Sequence, residues 1–190
     1  MRSLNRVGSL PVSLPLSADE VIEFHAARLL LLLSVCGVSG RIDGLTKMAK
    51  LDFFVRYPDF FEAARTAAAQ ADAEDAPERG KPDEAVESAM VRHHYGPWDK
   101  RYYHVLAYLE AKRLITVTKE GNSYRIALTE LGRQRAQVLA KRPSFASIVE
   151  RMREVKRSFG AKSGVALKNL IYRLFDAEVG RRPLGKVIRR

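Results

Sequence analysis

The sequence predicts a mainly α-helical protein with a single β-hairpin, and three observations carry that expectation. Between residues 96 and 140 the apolar residues recur at helical spacing, then alternate, then return to helical spacing. Glu120-Gly121-Asn122 stands between the two alternating runs as turn chemistry. Elsewhere, long apolar stripes are punctuated by single glycines and prolines.

Met1 to Leu16 reads as an extended arm, with Pro11 and Pro15 opposing helix and interrupting any apolar run, so it makes a poor signal peptide. Ser17 and Glu20 form a capping-box sequence for a helix running to about Cys36, with Gly37 as its stop. That helix is apolar on two faces, one carrying Val21, Phe24, Leu31, Leu32 and Val35 and the other Ile22, Ala26, Leu29, Leu30, Leu33 and Cys36. This is the pattern of a sandwiched core helix. Cys36 reads as a small buried hydrophobe. Arg28, His25 and Glu23 interrupt the stretch well short of the ~20 apolar residues that cross a bilayer, so no membrane span is expected.

Asp43 is the expected cap of a helix over residues 44–56, packing through Leu45, Met48, Leu51, Phe54 and Val55. Lys47, Lys50, Asp52 and Arg56 then read as its solvated face, with Asp52–Arg56 an i,i+4 pair. Tyr57-Pro58 ends it. An alanine-rich helix is expected over residues 59–73, a mobile loop near 72–83, and a short strand within 88–95 beside the hairpin.

Gly96-Pro97 is the expected start of the next helix, with Asp99 in its first turn and Trp98, Tyr102, Val105, Leu106 and Leu109 as its buried stripe. Ile115 and Val117, then Tyr124, Ile126 and Leu128, give the hairpin, and Thr129 caps a helix over Glu130 to Ala140. Helix, hairpin and helix at these lengths form the back half of a winged helix. The expected organisation is therefore a winged helix-turn-helix domain over residues 17–140, followed by a basic C-terminal helical extension and tail over 141–190. In the extension, Phe145, Ile148, Met152, Val155 and Phe159 form one stripe. Ser163 caps a third amphipathic helix carrying Leu167, Leu170, Ile171, Leu174 and Phe175. Glu150–Arg153 and Glu154–Arg157 are the expected outer pairs. This hairpin must bury its stripe against the domain or against another chain.

The 190 residues carry a formal charge of +11 and one cysteine. A lone cysteine excludes a disulfide framework and points to a reducing, cytoplasmic setting. Residues 141–190 hold fourteen Lys/Arg against four Asp/Glu, so nearly all the net charge lies there and the winged-helix part is almost neutral. Arg151, Arg153, Lys156, Arg157, Lys162, Lys168, Arg173, Arg181, Arg182, Lys186, Arg189 and Arg190 trace either a solvated face or a contact for nucleic acid.

The composition offers no catalytic constellation. His93-His94 lack Cys, Asp or Glu at ligand spacing, the glycines form no phosphate-cradling loop, and no carboxylate pair stands in apolar surroundings. No enzyme, no metal and no cofactor is expected. The outward face of the helix after Gly96 carries Lys100, Tyr103, His104, Ala107 and Ala111, with Tyr108 at its edge. Base readers are mostly Arg, Asn, Gln, Ser and Lys. A tyrosine and alanine face instead suits packing on neighbouring loops or docking on a protein. Leu184, Val187 and Ile188 in the basic tail also read as docking residues, because a purely electrostatic tail has no use for them.

GRIDGLTKMAKLDFFVRYP at Gly40 to Pro58, MVRHHYGPWDKRYYHVLAYLEAKRLI at Met90 to Ile115, LTELGRQRAQVLA, and SGVALKNLIYRLFDAEVGRRPLGKVI, taken together, carry a resemblance. With them the chain resembles the small middle component of bacterial ABC three-component anti-phage systems, the group that includes Lamassu. The matching positions are Lys47, Asp52, Arg56, Tyr57 and Pro58; Gly96, Pro97, Trp98, Asp99 and Tyr103; and Ser163, Leu167, Tyr172, Pro183 and Gly185. The resemblance implies a non-enzymatic winged-helix subunit that joins an SMC-like ATPase to an effector nuclease. Such a subunit helps hold the effector inactive until foreign DNA is sensed. A DNA-binding transcription regulator and an accessory subunit of a chromosome-organising SMC complex are the alternatives.

Overall fold

A run of five consecutive leucines in the first helix, α1 (Ile22–Cys36), is fully buried and forms the axis of the core. In this computed structural model the described residues are 21–70, 91–93, 96–121 and 123–175, with backbone only at 70, 91–93, 96 and 97. The expected arm, the Ser17–Glu20 capping box, the 72–83 loop and everything after Phe175 lie outside them. Within them, α1 is followed by β1 (Arg41–Asp43), α2 (Leu45–Arg56) and α3 (Pro58–Gln70). Then come β2 (Val91–His93), β3 (Gly96–Trp98), α4 (Tyr102–Ala111), β4 (Ile115–Glu120), β5 (Ser123–Leu128) and α5 (Glu130–Ala140). A 3-10 turn at Pro143–Phe145 leads to α6 (Ala146–Phe159) and α7 (Gly164–Leu174). The architecture is mainly helical with a small three-stranded antiparallel sheet in the order β1–β5–β4.

The hairpin register pairs Ile115 with Leu128 and Glu120 with Ser123, and the chain turns tightly at Gly121. Gly121 takes φ +58°, the left-handed region such turns demand. Strand β1 is too short to have been legible, yet it completes the sheet by pairing Ile42 with Ile126. It also corrects the expected cap. Asp43 is in the strand, and Gly44 precedes α2 at φ +97°, a conformation an aspartate rarely adopts. Thr129 and Ser163 do cap α5 and α7, accepting hydrogen bonds from Gly132 N (3.0 Å) and Ala166 N (3.1 Å).

The second correction concerns Gly96-Pro97. These residues form β3, antiparallel to β2, and the helix begins only at Tyr102. The strand expected within 88–95 therefore pairs with the GPW segment and not with the hairpin, in a separate two-stranded sheet. The buried stripe of α4 is as expected, since Trp98, Tyr102, Val105, Leu106 and Leu109 are all buried.

The C-terminal helices bury their stripe on their own chain. Helix α6 lies against α1 and α2, while α7 lies against α2. Phe159 lies tilted against Phe54 and edge-on to Phe61, at 4.7 and 5.7 Å between centroids, and Phe175 meets Phe60 edge-on at 4.6 Å. Lys47 Nζ donates to Gly160 O at 2.8 Å, and Gly164 packs so close to α2 that a Cβ there would stand 2.8 Å from Lys47 N. On the outer side Arg153 pairs with Glu150 as expected. Arg157 also turns to Glu150 (3.7 Å), not to Glu154.

Candidate docking face and the buried polar network behind it

The outward face of α4 is set by its buried stripe. Lys100, Tyr103, His104, Ala107, Glu110 and Ala111 are exposed, while Tyr108 is half-buried at the edge. Tyr103 is 59% exposed, with its ring 6.0 Å from that of Trp98. Tyr108 leans over α1, its hydroxyl 3.5 Å from Glu23 Oε1 and its ring under Lys112 Nζ at 5.6 Å. Packing on neighbours therefore accounts for Tyr108 and leaves most of Tyr103 in solvent. Glu110 accepts from Val117 N at 3.1 Å and adds a carboxylate to this surface. On the hairpin, Arg125 Nη1 pairs with Glu120 (2.6 Å) and its Nε lies 3.6 Å from Asp43, so the hairpin's arginine is neutralised locally.

Behind this face lies an assembly that reading the sequence missed. Asp52, expected on a solvated face, is fully buried. Arg28 Nε and Nη2 donate to its two carboxylate oxygens at 2.9 and 3.3 Å, and the Tyr102 hydroxyl donates to Oδ2 at 2.7 Å. Arg56 Nη1 is 3.9 Å from that oxygen and donates to Asp99 Oδ2 at 2.9 Å. The Arg101 guanidinium and backbone N–H close around Asp99 at 2.9–3.0 Å. The His25 ring sits between Arg28 Nη1 and Arg101 Nη1, 3.0 Å from each. Seven side chains from α1, α2 and the entry to α4 are thereby locked to one another, and this fixes how α4 is presented.

Burial alone would raise the Asp99 carboxyl. Its bonds from Arg101, with Arg56 beyond, hold it well below the usual carboxylate range. Burial and the neighbouring Asp52 push the Tyr102 hydroxyl well above its ordinary value. Both carboxylates are enclosed by donors, so neither is placed to take a proton from a substrate. Among the described residues no three His, Cys, Asp or Glu side chains cluster as metal ligands; His94 and the His93 side chain lie outside them. Cys36 donates to Met152 O at 3.3 Å, and burial pushes its thiol up to about 12. No helix among the described residues is long and apolar enough to cross a membrane.

Lys50 and Arg56, also expected on the solvated face of α2, are buried too, Lys50 fully and on the side covered by α7. Burial, then repulsion from Lys168, pushes the Lys50 amine down to about 7. An unfolded lysine holds its proton to about pH 10.4. As pH falls, the unfolded chain thus takes up a proton before the folded one, and folding is weakened until the pH passes 7. Cys36 and Tyr102 act in the opposite sense only above about pH 8.5. Urea unfolding is therefore expected to show the native chain gaining about 1–2 kcal/mol between pH 7 and 8.5. Lys50→Met is expected to lose that gain, and an unchanged slope in the variant would contradict the assignment.

Of the twelve basic residues of the extension, the seven that are described are not brought to one edge. Arg151 Nη1 is spent on Val55 O (3.2 Å). Arg153 and Arg157 share Glu150, whereas Lys156, Lys162 and Arg173 are exposed and Lys168 is half-buried. At about 100° per residue, Arg153, Lys156 and Arg157 lie together on α6, with Arg151 on the far side. Arg181, Arg182, Leu184, Lys186, Val187, Ile188, Arg189 and Arg190 lie outside the described residues. Comparison with known proteins adds no family: no family model, curated protein or solved structure matches the chain.

Proposed function

We propose that the chain is a non-enzymatic winged-helix adaptor, the accessory subunit of an SMC-like ATPase defence complex, bridging the ATPase to an effector nuclease. The winged-helix reading is supported by connectivity. Helix, strand, helix, then helix and hairpin, with the first strand on the hairpin's second strand, is the arrangement that fold uses. The insertion of α3, β2 and β3 between the second and third helices is this chain's own elaboration. The adaptor reading rests on one observation. The helix that would enter a DNA groove presents Tyr103, His104, Ala107 and Ala111 beside Glu110, and the wing's Arg125 is already paired. A carboxylate and an alanine strip repel or ignore phosphate, whereas an exposed tyrosine among small residues suits a protein surface. The ATPase and nuclease come from the resemblance of the sequence motifs.

The tagged full chain, purified from its own cells, is expected to retain an ATPase with long coiled-coil segments and a nuclease. Tyr103→Arg with Ala107→Arg is expected to release at least one of them while leaving the circular dichroism spectrum unchanged, because both positions are exposed. A chain that purifies alone and binds a specific duplex, with binding lost in the same variant, would instead make it a transcription regulator.

A further inference from the structure

Helix α5 has its apolar residues the wrong way round for a helix serving only its own core. The residues it buries are Gly132 and Ala136. Leu131 is 41% exposed and Val138 51% exposed, and they stand seven residues apart on one side, with half-buried Leu139 beside Val138. Large side chains turned outward leave an apolar strip that α5 does not cover for itself. The strip forms one wall of a groove of about 490 Å³, whose floor and other wall come from Ala26, Ala27 and Leu30 of α1, Tyr108 and Leu109 of α4, and Leu114.

The rim has a sign. Lys112, Arg135 and Arg142 border the groove against the single carboxylate of Glu23. Among the described residues neither Arg135 nor Arg142 pairs with a carboxylate, and the Lys112 ammonium lies over the Tyr108 ring. An apolar trough between helices with unneutralised cations along its edge complements a strip of leucine-sized side chains bordered by carboxylates. A helix supplies that arrangement with its backbone already satisfied, through residues at i, i+3, i+4 and i+7. We propose that this groove docks an amphipathic helix of a partner protein whose apolar face is flanked by Asp or Glu. The chain's own tail is basic and is disfavoured by the same rim. The groove requires nothing of Tyr103, His104 or Ala107, so it and the α4 face can fail separately.

The probe is a fluorescein-labelled helical peptide of about sixteen residues, long enough to hold helix, with leucines at i, i+3, i+4 and i+7 and glutamates on both flanks. A lysine-flanked twin is its control. Fluorescence anisotropy on the full chain is expected to show the glutamate peptide binding with Kd on the order of 10 µM at low salt. Its twin is expected to bind at least tenfold more weakly. Arg135→Glu with Arg142→Glu should reverse that order. Val138→Asp should abolish binding without moving the thermal midpoint, since the side chain is exposed. Equal binding of the two peptides would overturn the proposal. So would no binding to the full chain, as expected if the chain covers the groove itself, or a concentration-dependent dimer that Val138→Asp dissolves.

Discussion

Asp52→Asn is expected to destabilise the folded chain by about 3–5 kcal/mol, the cost of breaking a buried ion pair by neutralising one of its partners. The carboxylate accepts two bonds from Arg28 and one from Tyr102 in a fully buried setting, with Arg56 within 4 Å. An amide of the same shape can still accept at one oxygen, but it presents N–H to Arg28 or to the tyrosine hydroxyl and carries no charge. Against a total stability of about 5–15 kcal/mol for a typical domain, that loss is large enough to leave much of the chain unfolded at 37 °C. Urea unfolding monitored by Trp98 fluorescence reads it directly. Two companions separate charge from packing. Tyr102→Phe removes one hydrogen bond and should cost about 1–3 kcal/mol. Arg28→Met with Asp52→Leu removes both charges and should recover much of the single-variant loss. An Asp52→Asn chain within 1 kcal/mol of the native one would show that the buried pair contributes no more than a surface pair does.

The second large effect is Gly132→Ala. On helix propensity alone this change inside α5 should stabilise by about 1 kcal/mol. Packing reverses the sign, because an ideal Cβ at Gly132 would stand 1.9 Å from Leu114 O. That carbonyl is already fixed, accepting from Thr129 N (3.0 Å) and lying 3.2 Å from the Thr129 hydroxyl, which also caps α5. The helix must move as a body and lose its cap, so a loss of about 3 kcal/mol or more is expected, in the tail of single-substitution effects. Thermal unfolding would show it. A contrast comes from Gly121→Ala at the hairpin tip, which has open space but φ +58°, and should cost only about 1–2 kcal/mol. If the two variants proved equal, steric contact at Leu114 would not be the reason for the glycine.

These two sites mark where sequence reading succeeds and where it stops. The stripe of α4, the hairpin alternation and the Thr129 and Ser163 caps were legible because each is encoded within a dozen residues. Helix α2 was not. Its residues Met48 to Arg56 are all buried, because α1 covers one side while α6 and α7, a hundred residues further along, cover others. Periodicity assumes that a helix has a wet side, and so it places Lys50, Asp52 and Arg56 on one. The GPWD segment misled differently. Gly-Pro followed by an acid reads equally well as a helix entry, and the strand β2 that captures it is a tertiary partner without a strong local signal. The α4 face was foreseeable because its buried stripe fixes what points outward. The groove beside α5 was not, since Leu131, Val138 and Leu139 look like core residues until Gly132 and Ala136 are seen to hold that place.

The clasp of α6 and α7 over α2 has a practical consequence. The charge boundary near residue 141 invites cutting the chain there to separate a neutral body from a basic appendage. Such a fragment would uncover Phe54, Phe60 and Phe61 together and leave Lys50 without the helix that roofs it. Any probe of what the terminal arginines contribute has to leave Phe175 in place and work only beyond it. A cut near 141 would report a collapsed core and be mistaken for a lost activity.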